Sequence, residues 1–175
     1  MTRLISAAAA VAVASAPVPA HADVKSASLS HFEVESKAIV AAPPAAAYAM
    51  LGRVGEWWSA GHTYSGSTAN LAMELRAGGC FCERTPKDDG TIEHLRIVQA
   101  RPGTLVRATG GLGPLQGEAL AGTLTWSFKA VPGGTEITQN YAVSGRSRTS
   151  LETLATLVDR VLAEQLEGLR KRLAR

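Results

Sequence analysis

Residues 150–173 read SLETLATLVDRVLAEQLEGLRKRL. Leu151, Leu154, Val158, Val161, Leu162 and Leu169 recur at intervals of three and four, which places them in one stripe along a helix. Ser150 is a capping residue, and Glu152 puts negative charge in the first turn, where the helix dipole favours it. Asp159, Arg160, Arg170 and Lys171 fall off the stripe. Gln165 falls inside it, a polar side chain in an apolar row. A helix of this length needs a broad apolar surface to cover, and the rest of the chain must supply it.

Upstream lie strands. LAGTLTWSFKAV, 120–131, alternates Leu120, Gly122, Leu124, Trp126 and Phe128 against Thr123, Thr125, Ser127 and Lys129. That is the period of a strand with one wet face. A Pro-Gly-Gly turn leads into TEITQNYAVSG, with Ile137, Tyr141 and Val143 on one side and Gln139 among them. Further upstream come LAMEL, CFCER, TIEHLRIVQA and TLVRAT, separated by Gly78-Gly79, the Asp-Gly turn of PKDDG and Arg101-Pro102-Gly103. HFEVESKAIV, 31–40, alternates Phe32, Val34, Ser36, Ala38 and Val40 against charged residues. Pro43-Pro44 ends it and opens a short helix, interrupted at Gly52 and Gly55, with EWWSAG as a second helical turn. A meander of this kind buries one face only by curling round the terminal helix. The expected class is α+β: a curved antiparallel sheet of about seven strands wrapped round a long C-terminal helix, with two short helices after the first strand. Such a packing leaves room for a cavity between sheet and helix.

The first 22 residues read as a secretory signal. Arg3 is followed by an apolar run from Leu4 to Ala14, then Pro17, Pro19 and Ala20-His21-Ala22. The run is too short to span a bilayer, which takes about 20 residues. Cleavage is expected before Asp23, followed by a flexible leader, 23–31, and a single domain, 32–175. The expected location is the periplasm, without stable membrane insertion. The chain carries 18 Lys and Arg against 15 Asp and Glu, with no basic run of the kind that binds nucleic acid.

Several segments together resemble the SRPBCC superfamily with its START-like helix-grip fold. They are APPAAAYAML followed by EWW, LRAGGCFCE before a DG turn, ARPGTLVRATG, GTLTWSF with GGTEIT, and the closing helix. The similarity runs from about 33 to 173 and is nearest the polyketide cyclase/dehydrase-like and heat-shock ATPase activator-like branches. It implies an internal apolar cavity. It does not assign chemistry, and no catalytic motif transfers.

Both cysteines, Cys80 and Cys82, lie in GGCFCERTPKDDGTIEH, 78–94. On a regular strand they share a face with Cα atoms about 6.6 Å apart. That spacing disfavours a mutual disulfide, so the thiols are expected not to be bonded to each other. A bulge in an oxidising compartment would permit the bond. Zinc held by Cys80, Cys82 and His94, with Glu83 on the opposite face and His62 a distant fourth, is a second reading. A cysteine nucleophile with His94 as base is a third, and two buried thiols lining the sheet interior a fourth. The sequence predicts no metal and no cofactor.

The candidate ligand-binding residues are Trp57, Trp58, Tyr64, Cys80, Cys82, His94, Trp126, Tyr141 and Gln165. Trp57-Trp58 suit a lid or a core cap, and Tyr64 suits a ligand hydrogen bond or a structural one. LGPLQG, 112–117, suits an entry loop or a plain crossover; Gln139 and Arg96 are lesser candidates. Gln165 is expected to face the cavity, bonded to ligand, water or a strand residue such as Tyr141, with a backbone partner as the alternative. The functional expectation is an exported protein holding a small hydrophobic or amphipathic molecule (a lipid, isoprenoid or aromatic metabolite). The alternatives are a cyclase, dehydratase or hydrolase-type enzyme in the same cavity, with His94, Tyr64 or a cysteine as acid–base group, and a non-catalytic protein-interaction module.

Overall fold

The computed structural model describes residues 21–174. The expected signal segment lies outside them, except that the backbone of His21 and Ala22 begins the first strand. Strands β1 (His21–Ala27), β2 (His31–Val40), β3 (Leu71–Met73), β4 (Cys80–Thr85), β5 (Gly90–Arg101), β6 (Leu105–Thr109), β7 (Ala119–Val131) and β8 (Gly134–Arg146) form one antiparallel sheet. Its order is β1-β2-β8-β7-β6-β5-β4-β3. Helix α1 (Pro44–Gly52) follows β2, and helix α2 (Leu151–Leu173) closes the chain. The helix-grip architecture read from the sequence is therefore the one observed, with eight strands in place of about seven.

The additional strand is β1. Residues 23–27, expected in a flexible leader, instead pair with β2 in a register that sets Asp23 opposite Glu35. Local sequence hides this strand. Asp23, Lys25 and Ser26 make it short and polar, as edge strands that resist further pairing commonly are.

Where the alternation was strong the faces are as expected. Phe32, Val34, Ser36, Ala38 and Val40 point inward from β2, as Leu124, Trp126 and Phe128 do from β7. Pro44 occupies the first turn of α1, where its missing N–H costs nothing. Ser150 caps α2 by accepting the Thr153 N–H at 3.3 Å. The helix packs chiefly on β2 and β1.

The stripe of α2 divides in two. Leu151, Ala155, Leu162, Leu166 and Leu169 enter the core, while Leu154, Val158 and Val161 stay half-buried on an adjacent flank. Near its C-terminal end the helix touches the chain beside Trp57: a Cβ on Gly168 would overlap the Trp57 carbonyl oxygen. Because α2 lies over the β1–β2 edge, it leaves the middle of the sheet, towards β5, incompletely covered.

Candidate functional site

That uncovered region is a pocket of about 390 Å3. One wall is the α2 flank of Leu154, Leu157, Val158 and Val161; the opposite wall is Trp58 with residues 61–64. The 112–115 loop forms a third side, and His94 on β5 and Tyr141 on β8 reach it from the sheet. The lining is mostly apolar, aliphatic on the α2 flank and aromatic at Trp58, Tyr64 and Tyr141. Tyr64 and Leu157, both more than half exposed, stand at its rim.

The polar end is built on a register fault. Phe81 pairs with Leu95, but Cys82 then pairs with Glu93, so His94 is skipped. An unbroken register would set His94 opposite Cys82, on the cysteine face. The bulge turns His94 to the inner face together with Leu95, and both are buried. There Nε2 of His94 lies 2.9 Å from Oε2 of Glu83, whose side chain is fully buried. Glu83 also accepts the backbone N–H of Tyr64 at 3.1 Å and of Ser65 at 2.5 Å. Burial pushes the Glu83 carboxyl up, but hydrogen bonds from Ser65, Tyr64 and His94 outweigh it and hold the group below its ordinary range. Glu83 is thus a carboxylate at neutral pH, and an acceptor-only group at Nε2 requires that nitrogen to carry a hydrogen. Nδ1 remains, buried and without a partner among the described residues. Tyr64 stacks on the imidazole at 5.9 Å between centroids, and Phe81 packs on it at 4.9 Å.

The cysteines are elsewhere. Cys80 and Cys82 are joined in a disulfide, correcting the expectation of thiols not bonded to each other. Their Cα atoms are 5.4 Å apart, closer than the regular strand value, at the point where the β4–β5 register breaks. Local twist at a bulge supplies the shortening, and the separation falls within the bridging range. The pair is half-exposed on the outer face, beside Glu93 and Arg96, so neither cysteine lines the pocket or meets His94. Oxidised to a disulfide, the sulfurs supply neither a nucleophile nor the two thiolates of the zinc reading.

Among the other candidates, Trp58, Tyr64 and Tyr141 line the pocket with His94, whereas Trp57, Trp126 and Gln165 do not. Trp57 is a core anchor whose Nε1–H donates to the Met50 and Leu51 carbonyls at 3.0 and 3.2 Å. Trp126 donates to Gln139 Oε1 at 2.8 Å, and Gln139 donates onward to the Leu162 carbonyl at 3.0 Å. Gln165 does not face the pocket; its Oε1 accepts the Ser59 N–H at 2.8 Å, tying α2 to the segment after Trp58. Arg96 lies outside and pairs with Glu93. Tyr141 has both hydrogen-bonding functions engaged: its hydroxyl donates to the Gly110 carbonyl at 2.8 Å and accepts the Leu112 N–H at 3.0 Å. Burial pushes that phenol up to about 12. It anchors the start of the 112–117 loop, expected as an entry loop or a plain crossover, against the sheet. Glu83 went unassigned in the sequence. Its signal was there, an acid two residues from Phe81 on the phase facing the core, since a buried charge needs partners.

The chain belongs to the polyketide cyclase / dehydrase and lipid transport family, whose model matches residues 31–174. This places it in the SRPBCC superfamily that the sequence resembles. No curated protein matches it. Among solved structures it is similar to an uncharacterized protein from Rhizobium leguminosarum, with 18% identity over 89% of this chain and 98% of that one and a TM-score of 0.59. A protein from Rhodobacter sphaeroides is 20% identical over 88% and 98%, with a TM-score of 0.55. The di-domain ARO/CYC protein StfQ of the steffimycin biosynthetic pathway is 18% identical over 83% of this chain and 50% of its own, with a TM-score of 0.54. At these identities the likeness shows the fold.

Proposed function

We propose that this protein binds a small, mainly apolar molecule carrying one polar group, and that it does so in the periplasm after loss of residues 1–22. The observation that carries the reading is the pocket itself. Its volume of about 390 Å3 falls within the roughly 300–1,000 Å3 of small-molecule sites. Its aliphatic wall on α2 suits an isoprenoid, a short acyl chain or an aromatic ring, with the ligand's polar group set at the His94–Tyr64 end. Mass spectrometry of protein purified under native conditions tests this, alongside a variant in which Val161→Trp fills the space. A small apolar compound should accompany the wild type and be missing from the variant. Equal recovery from both, or from neither with no binding of added apolar probes, rejects the reading.

The Glu83–His94 pair favours a second reading, an enzyme of cyclase or dehydratase type in the same pocket. A carboxylate holds the imidazole in one orientation, and the other ring nitrogen has no partner among the described residues. That is the arrangement of a general base with its orienting group. In the neutral ring Nδ1 would accept a proton from a carbon or hydroxyl made acidic by an adjacent carbonyl, then return it to another position of the ligand. Deuterium exchange into an enolisable diketone probe separates the readings. Under the catalytic reading His94→Gln retains probe binding and loses exchange; under the carrier reading the wild type does not promote exchange.

A further inference from the structure

Asp159 sits on α2, which packs on β1, close enough to Asp23 for the two carboxylates to repel. Its Oδ1 is buried without a hydrogen-bond partner among the described residues. A carboxylate offers about four lone-pair sites, so this acid is underserved where it lies. Burial first, and then the nearby Asp23 carboxylate, push the Asp159 carboxyl up; the Asp23 N–H alone acts the other way.

Asp23 is also the residue that follows Ala20-His21-Ala22, the expected cleavage point. We infer that cleavage before Asp23, which removes the first two rungs of β1 at His21 and Ala22, creates an α-ammonium that pairs with Asp159. This rests on the export reading of the leader. Hydrolysis of the Ala22–Asp23 bond consumes one water. The new carboxylate leaves with residues 1–22, and the new amine, protonated at neutral pH, stays on β1. One peptide N–H becomes three donors with a full positive charge, at the place where an acceptor oxygen is bare.

The neighbouring acids are already engaged. The Asp23 side chain has Lys25 Nζ at 3.2 Å, and Glu35, opposite Asp23 in the β1–β2 register, has Lys37 Nζ at 3.2 Å. Asp159 is the carboxylate left for the ammonium. The polar β1, whose side chains bury little, then gains an ionic tether to the helix that the sheet grips.

The test uses protein recovered from the exported fraction. Intact mass gives the N-terminus, and a start at Asp23 is expected. Urea unfolding is then compared before and after selective acetylation of the α-amine, in wild type and in Asp159→Asn. Acetylation should lower the folding equilibrium constant of the wild type about fivefold, the scale of a partly exposed ion pair, and leave Asp159→Asn unchanged. A start at Asp23 with equal acetylation effects in both backgrounds overturns the pairing while leaving export intact. A mass that retains residues 1–22, or begins elsewhere, overturns the processing on which the inference stands.

Discussion

Replacing Glu83 with Gln is the sharpest perturbation of the polar end of the pocket. The substitution preserves shape and leaves one acceptor oxygen, but it removes the charge and turns an NH2 towards donors. Three donors converge on the carboxylate: His94 Nε2 at 2.9 Å and the backbone N–H groups of Tyr64 at 3.1 Å and Ser65 at 2.5 Å. At least one of them must face the new NH2 and lose its partner. An orphaned buried donor costs about 1–3 kcal/mol, and weakening the remaining charge-assisted bonds adds to it. The expected loss is about 2–4 kcal/mol. At about 2–4 °C per kcal/mol for a domain of this size, the melting temperature should fall by about 10 °C. Urea unfolding and calorimetry measure both quantities. The sign of the pH dependence follows from the depressed Glu83 carboxyl. Its stabilisation is complete above the ordinary Glu range of about 4.3 and is lost as pH falls through the lower folded value. The gap between wild type and Glu83→Gln should therefore narrow on acidification below that range. A loss under about 0.5 kcal/mol, or a gap that widens on acidification, would refute the convergent-donor account.

Other expected outcomes follow from single contacts. Denatured, non-reduced protein should take up no alkylating reagent and should weigh two hydrogens less than the dithiol; labelling of both cysteines would contradict the Cys80–Cys82 bond. Cys80→Ser with Cys82→Ser should cost about 1–2 kcal/mol, the chain-entropy value for so short a loop, and should leave probe binding in place. Gln165→Leu should destabilise by about 1–3 kcal/mol, because the Ser59 N–H loses its acceptor. It should not change affinity for polar or apolar probes, and a selective loss of the polar one would restore Gln165 to the pocket. Gly168→Ala should cost about 1–3 kcal/mol by forcing α2 away from the Trp57 carbonyl, as urea unfolding would register.

The elements that could be read from sequence are those whose periodicity is local. β2, β7 and α2 carry alternating or three-and-four patterns strong enough to assign their faces. β1 carries no such pattern, because an edge strand in contact with water needs none. The candidate site was legible only in part for a related reason. Residue type and loop position single out Trp58, Tyr64, His94, Tyr141 and the 112–117 loop, and each reaches the pocket, the loop through residues 112–115. An unbroken hairpin would group the cysteines with His94. The skipped residue on β5 separates them, sending His94 inward to Glu83 and leaving the sulfurs outside. A bulge is a property of two strands together, and neither strand's sequence declares it. Gln165 lies on the inward side of α2 as its stripe requires, but helical phase alone does not distinguish a pocket wall from a contact with the Ser59 backbone.

The space between α2 and the sheet should receive a small apolar molecule. Methyl-labelled NMR during titration with an apolar aromatic probe tests it most directly, since the pocket wall and the core carry the same residue types. Saturable shifts are expected at Leu154, Leu157, Val158, Val161 and Leu115, with Leu124, Ile137 and Val143 in the core unmoved. Absence of saturable shifts at the α2 flank, or shifts spread equally through the core, would contradict it.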